Sequence, residues 1–368
     1  MVVQYKCPNC GADMAYDSTS GMLHCDSCGR NDSIESFQKA GSGTDSKTET
    51  GTDSFHSHEE HHKEKDRDFH SYDENETAEY HCKNCGAVLI TDKNTTATTC
   101  SFCGAGVVLA DRLSGSMKPA KVIPFTINKQ QAQEAFKKWC KKGLLTPKGF
   151  MTANRIKSIS GLYVPFWLYD LNGQGEADAT CTRVRTYPQG DYIYTETSYY
   201  HVYRQVNLNY LKVPADASEK MNDELMDKLE PYHYNDLKDF NMPYLAGYLA
   251  EKYNYDDKAL FSRVEDRVTD FVDTYIKSTI GGYTTTSYNQ KNIRVKEQQA
   301  DYVLLPVWMV CYDYKQSEHT FAMNGQTGKI VGKPPLSVGK MAAWFTGISA
   351  GVFAVLKIIA VLTGGPIL

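Results

Sequence analysis

The sequence predicts a multidomain protein with two small four-cysteine modules, an α+β domain with a mainly antiparallel sheet, and a C-terminal transmembrane helix. Three observations lead to this fold class. Eight of the eleven cysteines fall in four Cys-x-x-Cys pairs, tyrosine-rich segments that alternate with period two follow them, and the last segment is strongly apolar. Such alternation is typical of half-buried strands. The predicted spans are 1–37 for the first module, 38–79 for a disordered polar linker, 80–111 for the second module, 112–158 for a basic helical connector, 159–335 for the α+β domain and 341–362 for the transmembrane helix.

Each cysteine module places two Cys-x-x-Cys pairs fourteen residues apart. One pair directs two sulfurs to a common point, and a short hairpin returns the second pair to complete a tetrahedron, which suits Zn²⁺ in a closed structural site. A glycine follows the second cysteine of every pair, and glycine adopts the positive φ of a tight turn without strain. The sequence therefore predicts two zinc ribbons. Their ligands are Cys7, Cys10, Cys25 and Cys28 in the first, and Cys82, Cys85, Cys100 and Cys103 in the second.

Disulfide bonds and a zinc-releasing thiol sensor are the alternatives for these cysteines. The opening residues, MVVQYKCPNC, contain no apolar segment of the kind found in secretory signals. A reducing compartment favours metal binding over disulfides. A sensor would release zinc and pair cysteines, Cys7 and Cys82 among them, under mild oxidant. Cys140, Cys181 and Cys311 stand alone in the sequence and are expected to be ordinary thiols.

The linker over 38–79 is dense in Ser, Thr, Gly and charge and has almost no aliphatic residue. Such a composition cannot bury enough apolar surface to fold. We therefore expect the two ribbons to be tethered independently, which would let them engage a clustered partner bivalently. Histidines in a tract can hold a labile metal, although solvated linker residues are the simpler interpretation. These histidines are His56, His58, His61, His62 and His70.

A basic stretch over 112–157 carries eleven lysines and arginines against one acid, Glu134. Within it, INKQQAQEAFKKWCKK is predicted to form a helix with Phe136 and Trp139 on one side. Three roles remain open for this helix: packing of its aromatic side on the next domain, contact with anionic lipid headgroups, or contact with a nucleic-acid backbone. The net charge of −4 argues against nucleic-acid binding by the whole chain. The candidate contact residues are Lys137, Lys138, Lys141 and Lys142.

From Ile159 onward the pattern indicates strands. GLYVPFWLYDLNGQGEADATCTRVRTYP predicts a strand, a Gly-rich turn and a second strand, and DYIYTETSYYHVYRQVNL predicts a half-buried strand. Asn324-Gly325 predicts a hairpin turn. The segments LYVPFWLYDL and LLPVWMVCYDY resemble each other, as two related strands of one antiparallel sheet would. EKMNDELMDKLEPY and DDKALFSRVEDRVTDFVDTYI have helical spacing. The apolar face of the second helix is predicted to contain Leu260, Val264, Val268, Phe271, Val272 and Tyr275.

No Gly-rich phosphate loop, Gly-x-Ser-x-Gly elbow or His-Glu-x-x-His motif occurs in this α+β domain. A closed four-sulfur zinc site also leaves no position for substrate. We therefore predict that the protein is not an enzyme.

The segment MAAWFTGISAGVFAVLKIIAVL covers 341–362 and contains one charge, Lys357. About 20 mostly apolar residues span the hydrocarbon core of a bilayer, and Trp344 lies where indole rings favour the membrane interface. A buried terminal helix of a soluble domain is the alternative. Basic residues before the segment predict a single-pass helix in the cell membrane with the N-terminal bulk in the cytoplasm. They are Lys329, Lys333 and Lys340.

Both ribbons, the GLYVPFWLYD segment, the LLPVWMVCYDY strand, the FAMNGQTGKIVG hairpin and the apolar tail together resemble a bacterial family of zinc-ribbon membrane proteins, described by their transcription factor IIB-type ribbons. The resemblance covers nearly the whole chain outside the linker. Some members look like membrane partners of a flotillin-like (SPFH-domain) protein, in a system with a phage-shock-protein-A homologue. The resemblance implies an adaptor that recruits cytoplasmic stress factors to the membrane. The rival hypothesis is a nucleic-acid-binding protein that uses the basic 112–157 segment.

Overall fold

The computed structural model describes residues 2–41, 77–114, 118–141, 143, 145–147, 150, 156–314 and 317–363. Its strands are β1 (Val2–Val3), β2 (Ala15–Asp17), β3 (Met22–His24), β4 (Asn31–Asp32), β5 (Thr77–His81), β6 (Val88–Asp92), β7 (Thr95–Thr99), β8 (Gly106–Leu109), β9 (Lys121–Val122), β10 (Ile156–Gln189), β11 (Tyr192–Asp216), β12 (Lys238–Asp239), β13 (Leu249–Glu251), β14 (Thr285–Tyr314), β15 (Ser317–Asn324) and β16 (Ile330–Val331). Its α-helices are α1 (Ile34–Gly41), α2 (Lys129–Lys141), α3 (Asp223–Lys228), α4 (Asp257–Thr279) and α5 (Val338–Thr363).

The chain divides into two compact units. The first comprises Met1–Lys118 and Asp239–Lys252, and the second comprises Pro119–Lys238 and Tyr253–Leu368. The predicted linker lies largely outside the described residues, and its histidines lie there entirely.

The first unit is built from short antiparallel strands. Strands β2, β3 and β4 form one small sheet, β5 and β6 form another, and β7 pairs with β8. Strand β1 pairs with β8, with Val2 opposite Leu109 and Val3 opposite Val108. Strand β13 pairs with β7 through Ala250 and Ala97. These pairings bring strands from distant parts of the chain into one sheet.

The segment Asp239–Lys252 corrects the predicted α+β span of 159–335. It interrupts that span because it packs in the first unit, where the ring of Tyr16 lies 5.4 Å from Tyr244 and 6.4 Å from Tyr248. The backbone N–H of Tyr16 also donates to the carbonyl of Ala246. Local sequence patterns could not reveal that this segment belongs to the first unit, because its contacts join residues far apart in the sequence.

The second unit contains a long, mainly antiparallel sheet. Strand β10 has 34 residues and lies between β11 and β14, and β15 and β16 continue the sheet beyond β14. Strand β9 is a parallel addition to β14. The two similar segments of the sequence are direct neighbours, with Tyr163 opposite Pro306 and Pro165 opposite Leu304. The predicted hairpin at Asn324-Gly325 is confirmed by the antiparallel pair β15–β16.

The predicted Gly-rich turn near Asn172-Gly173 is wrong, because β10 continues through it. Gly173 and Gly175 face helix α4 instead. A Cβ added at Gly173 would lie 2.6 Å from Val272 Cγ2, and one at Gly175 would lie 2.7 Å from Ile276 Cδ1. The glycines therefore allow close approach of a helix to the sheet. The true turn follows Gln189, where Gly190 has φ +61.

Helix α4 covers one face of the sheet. The Asp256 side chain caps its first turn by accepting a hydrogen bond from the Ala259 N–H at 2.8 Å. Two residues of the predicted apolar face, Phe271 and Tyr275, are exposed rather than buried, and Ile276 takes a place in the core. The buried side chains of α4 are Leu260, Val264, Val268, Val272 and Ile276.

Helix α2 packs its apolar side into the second unit. Phe136 is buried, its ring lies 5.0 Å from Phe321, and Trp139 lies 5.7 Å from the same ring. This arrangement agrees with the packing role among the three considered for the basic helix. The contacts with lipid or nucleic acid stay predictions.

Helix α5 is long and apolar enough to cross a membrane. Its candidate span, Val338–Leu362, has a mean hydropathy of 2.1, and none of its apolar window is buried against the described chain.

Asp216 leads to a prediction about stability and pH. It is 1% exposed, its Oδ1 accepts a hydrogen bond from the Ser218 N–H at 3.0 Å, and its Oδ2 has no partner among the described residues. Burial raises the pKa of Asp216 from 3.8 to about 7 despite the nearby Arg263. The Asp216 carboxyl therefore loses its proton at a lower pH in the unfolded state than in the folded state. The contribution of Asp216 to stability falls as pH rises from about 4 to about 7.

We expect Asp216→Asn to stabilise the second unit at pH 8, on the order of 2–4 kcal/mol, because asparagine keeps the acceptor for Ser218 without a buried charge. Chemical unfolding of the detergent-solubilised full chain, followed by near-UV circular dichroism, measures the effect at pH 8 and pH 4.5. The increase in the free energy of unfolding should be smaller at pH 4.5, where the buried Asp216 carboxyl is protonated in the wild-type protein. Asp191→Asn, in the exposed hairpin turn, is the control. An equal gain at both pH values would contradict the ionisation argument.

Candidate metal centres

The first ribbon brings four cysteine sulfurs together. Cys7 precedes β2, Cys25 follows β3, and both are buried, while Cys10 and Cys28 are exposed. The Cys7 and Cys28 Sγ atoms are 3.5 Å apart, as are those of Cys10 and Cys25. All four sulfurs lie within 4.8 Å of one another.

The second ribbon repeats this geometry. Cys82 and Cys100 are buried and Cys85 and Cys103 are exposed. The Sγ atoms of Cys82 and Cys103 are 3.8 Å apart, as are those of Cys85 and Cys100. The eight cysteines singled out in the sequence thus form two separate groups of four, each able to hold a metal ion.

The knuckle backbone holds these cysteines in place. In the first ribbon, the Cys7 N–H donates to the carbonyl of Ala12 at 2.7 Å and the Gly11 N–H donates to the carbonyl of Cys7 at 2.8 Å. Gly11 has φ +74 and its counterpart Gly86 in the second ribbon also has φ +74. A side chain at either position would be strained in this left-handed conformation. The glycine after each pair is therefore needed for the turn that presents the sulfurs.

Hydrogen-bond donors favour the thiolate form of one exposed cysteine in each centre. The backbone N–H of Arg30, together with the Cys10 thiol, lowers the pKa of Cys28 to about 6. The side-chain amide of Asn84, 3.5 Å from Cys103 Sγ, lowers the pKa of Cys103 to about 6, with help from the backbone N–H of Ala105. Donors stabilise an anion, and the thiolate is the form of cysteine that binds metals.

The donor set and its geometry fit zinc. Zn–S bonds of about 2.3 Å in a tetrahedron place neighbouring sulfurs about 3.8 Å apart, close to the 3.5 and 3.8 Å distances between the paired sulfurs. Four sulfurs complete the coordination shell, so a bound zinc would have no position for water. Such a centre would stabilise its ribbon without performing chemistry.

The two ribbons are not independent, and the expectation of independent tethering is wrong. Val2 packs in the apolar cluster of the second ribbon with Cys82 and Cys100. The side-chain amide of Gln4 lies 3.5 Å from Cys82 Sγ. Strand β1, which lies within the predicted span of the first ribbon, thus belongs to the core of the second.

Lys6 joins the ribbons directly. Its Nζ lies 2.7 Å from Asn84 Oδ1 and 2.6 Å from Asp13 Oδ1. Asn84 also donates to the Cys103 sulfur, so a short chain of contacts leads from the residue beside Cys7 to the second centre. Partners of this kind orient the ligands of metal sites. Sequence patterns do not single out Gln4, Lys6 or Asn84, apart from their proximity to cysteines.

The predicted lysine contacts are only partly described. Lys138 and Lys141 are exposed on α2, and Lys137 is half-buried. Lys142 lies outside the described residues. The structure therefore gives no ligand-binding geometry for this set.

Comparison with known proteins gives one informative similarity. The chain is 56% identical over 365 residues, 99% of both sequences, to a Bacillus subtilis (strain 168) protein named uncharacterized protein YdjG. No family model matches the chain. No solved structure matches it.

The two centres predict a metal content that cysteine variants can separate. We expect the purified full chain to carry about two zinc ions, and Cys28→Ser or Cys103→Ser to lower this to about one, because each variant breaks one closed four-sulfur shell. Elemental analysis of protein prepared without chelator measures the content. Cys311→Ser, outside both groups, should leave it unchanged. A metal-free wild-type protein, or a Cys311→Ser variant that loses zinc, would contradict the assignment.

Proposed function

The chain belongs to the same family as YdjG, and we propose that it is a membrane-anchored, non-enzymatic adaptor. In this proposal the ribbons bind zinc and capture cytoplasmic proteins, α5 spans the cell membrane once, and the α+β unit connects them. The observation that carries the proposal is the presence, in one chain, of two closed four-cysteine centres and an unburied apolar helix. Closed centres suit binding better than catalysis.

The second ribbon supplies a candidate docking surface. Phe102, between the two cysteines of its second pair, is 76% exposed, and Ile90 on β6 is 67% exposed. Val88, two residues before Ile90 and on the same face of that strand, is also exposed. Exposed aromatic and aliphatic side chains on a rigid module are typical anchors of protein interfaces. The joined ribbons would present them as one body rather than as two flexible binding sites.

The topology that we propose places the ribbons in the cytoplasm. Lys329, Lys333 and Lys340 lie before or within the first turn of α5, and basic residues beside a span tend to remain on the cytoplasmic side. The metal ligands need reduced thiols, which the same compartment supplies. Trp344 near the start of α5 is suited to the interface, and the Lys357 stem can extend towards the other interface.

We further propose, from the family resemblance, that the partner is a flotillin-like SPFH protein together with a phage-shock-protein-A homologue. Recruitment of such proteins to the membrane would serve the response to envelope stress. The joined ribbon unit supports a contact with protein, because its exposed residues include apolar side chains as well as charges.

Removal of α5 tests the anchoring. We expect a chain that lacks 341–368 to leave the membrane fraction and to lose the membrane-associated partner, while the full chain retains both. The measurement is a detergent pull-down from crosslinked cells with nuclease present throughout, followed by mass spectrometry. If nucleic acid copurifies in a parallel sample without nuclease, and neutralising the four lysines at 137, 138, 141 and 142 abolishes it, the rival hypothesis would replace the adaptor.

Substitution of the docking surface tests the ribbon contact. We expect Phe102→Ser to reduce partner capture by about tenfold, since interface aromatics commonly contribute a large share of binding energy, while the zinc content stays unchanged. Tyr255→Ser, an exposed aromatic in the second unit, is the matched control. Capture that persists in Phe102→Ser at wild-type levels would show that this face is not the docking surface.

A further inference from the structure

Strand β11 presents a long unpaired edge. It pairs with β10 from Tyr192 to Asp216, and no strand of the described chain pairs with its other edge. Proteins commonly protect such edges with lysine, proline or a bulge. The residues at 192–211 include no lysine and no proline, and the irregularity in the β10–β11 pairing comes only near Leu171 and Tyr210. About twenty residues of edge are thus open to pairing.

On the side of the sheet that α4 covers, exposed aromatic residues lie at both ends of the β11 edge. Val206, Leu208 and Tyr210 pack on the α4 core, and the Tyr210 ring lies 6.1 Å from Phe271 of α4, which is exposed. Towards the hairpin turn, Tyr192 and Tyr194 lie on the same face, because side chains two residues apart along a strand share a face. Both tyrosines are exposed.

The two charged residues of the β11 edge can pair with those of a second copy of the strand. Glu196 and Arg204 are the only Asp, Glu, Lys or Arg residues over 192–211. The Arg204 guanidinium donates to the Thr279 carbonyl at the end of α4, which holds it on the α4 face. Glu196 lies on that face by the same alternation. If two β11 strands run antiparallel with Tyr200 opposite its own copy, Glu196 of each strand faces Arg204 of the other.

We propose that β11 is a self-association edge: two copies of this chain pair through their β11 strands, antiparallel, with Tyr200 at the two-fold axis. This register joins the two sheets edge to edge. Tyr192 then lies opposite Leu208 of the second copy and Tyr194 opposite Val206, so that the exposed tyrosines extend the apolar layer beside Phe271. Two opposite-charge pairs form across the junction, and a two-fold axis makes the contact self-complementary. The proposal does not depend on the adaptor function.

The register is tested by disulfide trapping. Paired residues of antiparallel strands have Cα atoms about 4.5–5.5 Å apart, within the range that a disulfide spans. We expect Tyr200→Cys in the full chain, in native membranes and in detergent, to form a covalent dimer under mild oxidant. Tyr203→Cys should not, since its copy would lie roughly 20 Å away. Thr197→Cys combined with Tyr203→Cys should restore crosslinking, because these positions face each other in the proposed register.

The charge pairs are tested by a swap. Like charges placed opposite each other destabilise strand pairing, so Glu196→Arg should weaken dimerisation by about tenfold. Glu196→Arg combined with Arg204→Glu should recover most of the loss. Analytical ultracentrifugation in detergent measures the dimer fraction, and Glu219→Arg, an exposed acid outside β11, is the control. The single change at Glu196 is more informative than a single change at Arg204, because Arg204 also donates to the Thr279 carbonyl of its own chain.

Three results would overturn the proposal. The wild-type chain could remain monomeric at micromolar concentration in detergent and in membranes. It could dimerise without a disulfide at position 200, which would place the contact elsewhere, for instance on α5. Finally, Glu196→Arg could dimerise as strongly as the wild-type chain, which would contradict the charge pairs that set the register.

Discussion

Backbone hydrogen bonding along β10 is the interaction on which the second unit depends. This strand pairs with β11 on one side and β14 on the other, and every residue of the α4-facing layer takes its position from that register. Because side chains alternate between the two faces of a strand, a slip of one residue would turn the α4-facing set to the opposite face. Gly173 and Gly175 act within this constraint: they remove side chains where α4 comes closest. The helix and the sheet therefore fix each other.

The first unit is organised on a different principle. Its strands are two to five residues long and its ribbons are individually too small to bury an extensive core. Metal binding can supply the missing stabilisation in such modules. The shared cluster of Val2, Cys82, Leu89 and Cys100 adds an apolar connection between the two ribbons. The two small modules thus belong to one compact unit.

Local sequence patterns predicted what depends on local chemistry. The cysteine spacing identified both four-sulfur groups, the alternation at 191–208 identified β11, and Asn324-Gly325 identified its hairpin. The patterns failed where distant residues decide the structure. Asn172-Gly173 has the composition of a turn, but α4, about a hundred residues later, uses the glycine for close packing. Likewise, Phe271 follows helical spacing, although its position at the edge of the sheet leaves it exposed. Gln4, Lys6 and Asn84 become neighbours only when β1 reaches β8.

The pairing of β1 with β8 has a consequence for the order in which the protein forms during translation. Val2 pairs with Leu109, so the first strand is synthesised about a hundred residues before its partner exists. At roughly 5–20 residues per second, that delay is on the order of 5–20 seconds. The four cysteines of the first ribbon are complete long before then, and this ribbon can fold while β1 waits. The nascent chain thus acquires its first metal-binding module early, β1 pairs when β8 of the second ribbon has been made, and the unit is complete only after Asp239–Lys252 has followed.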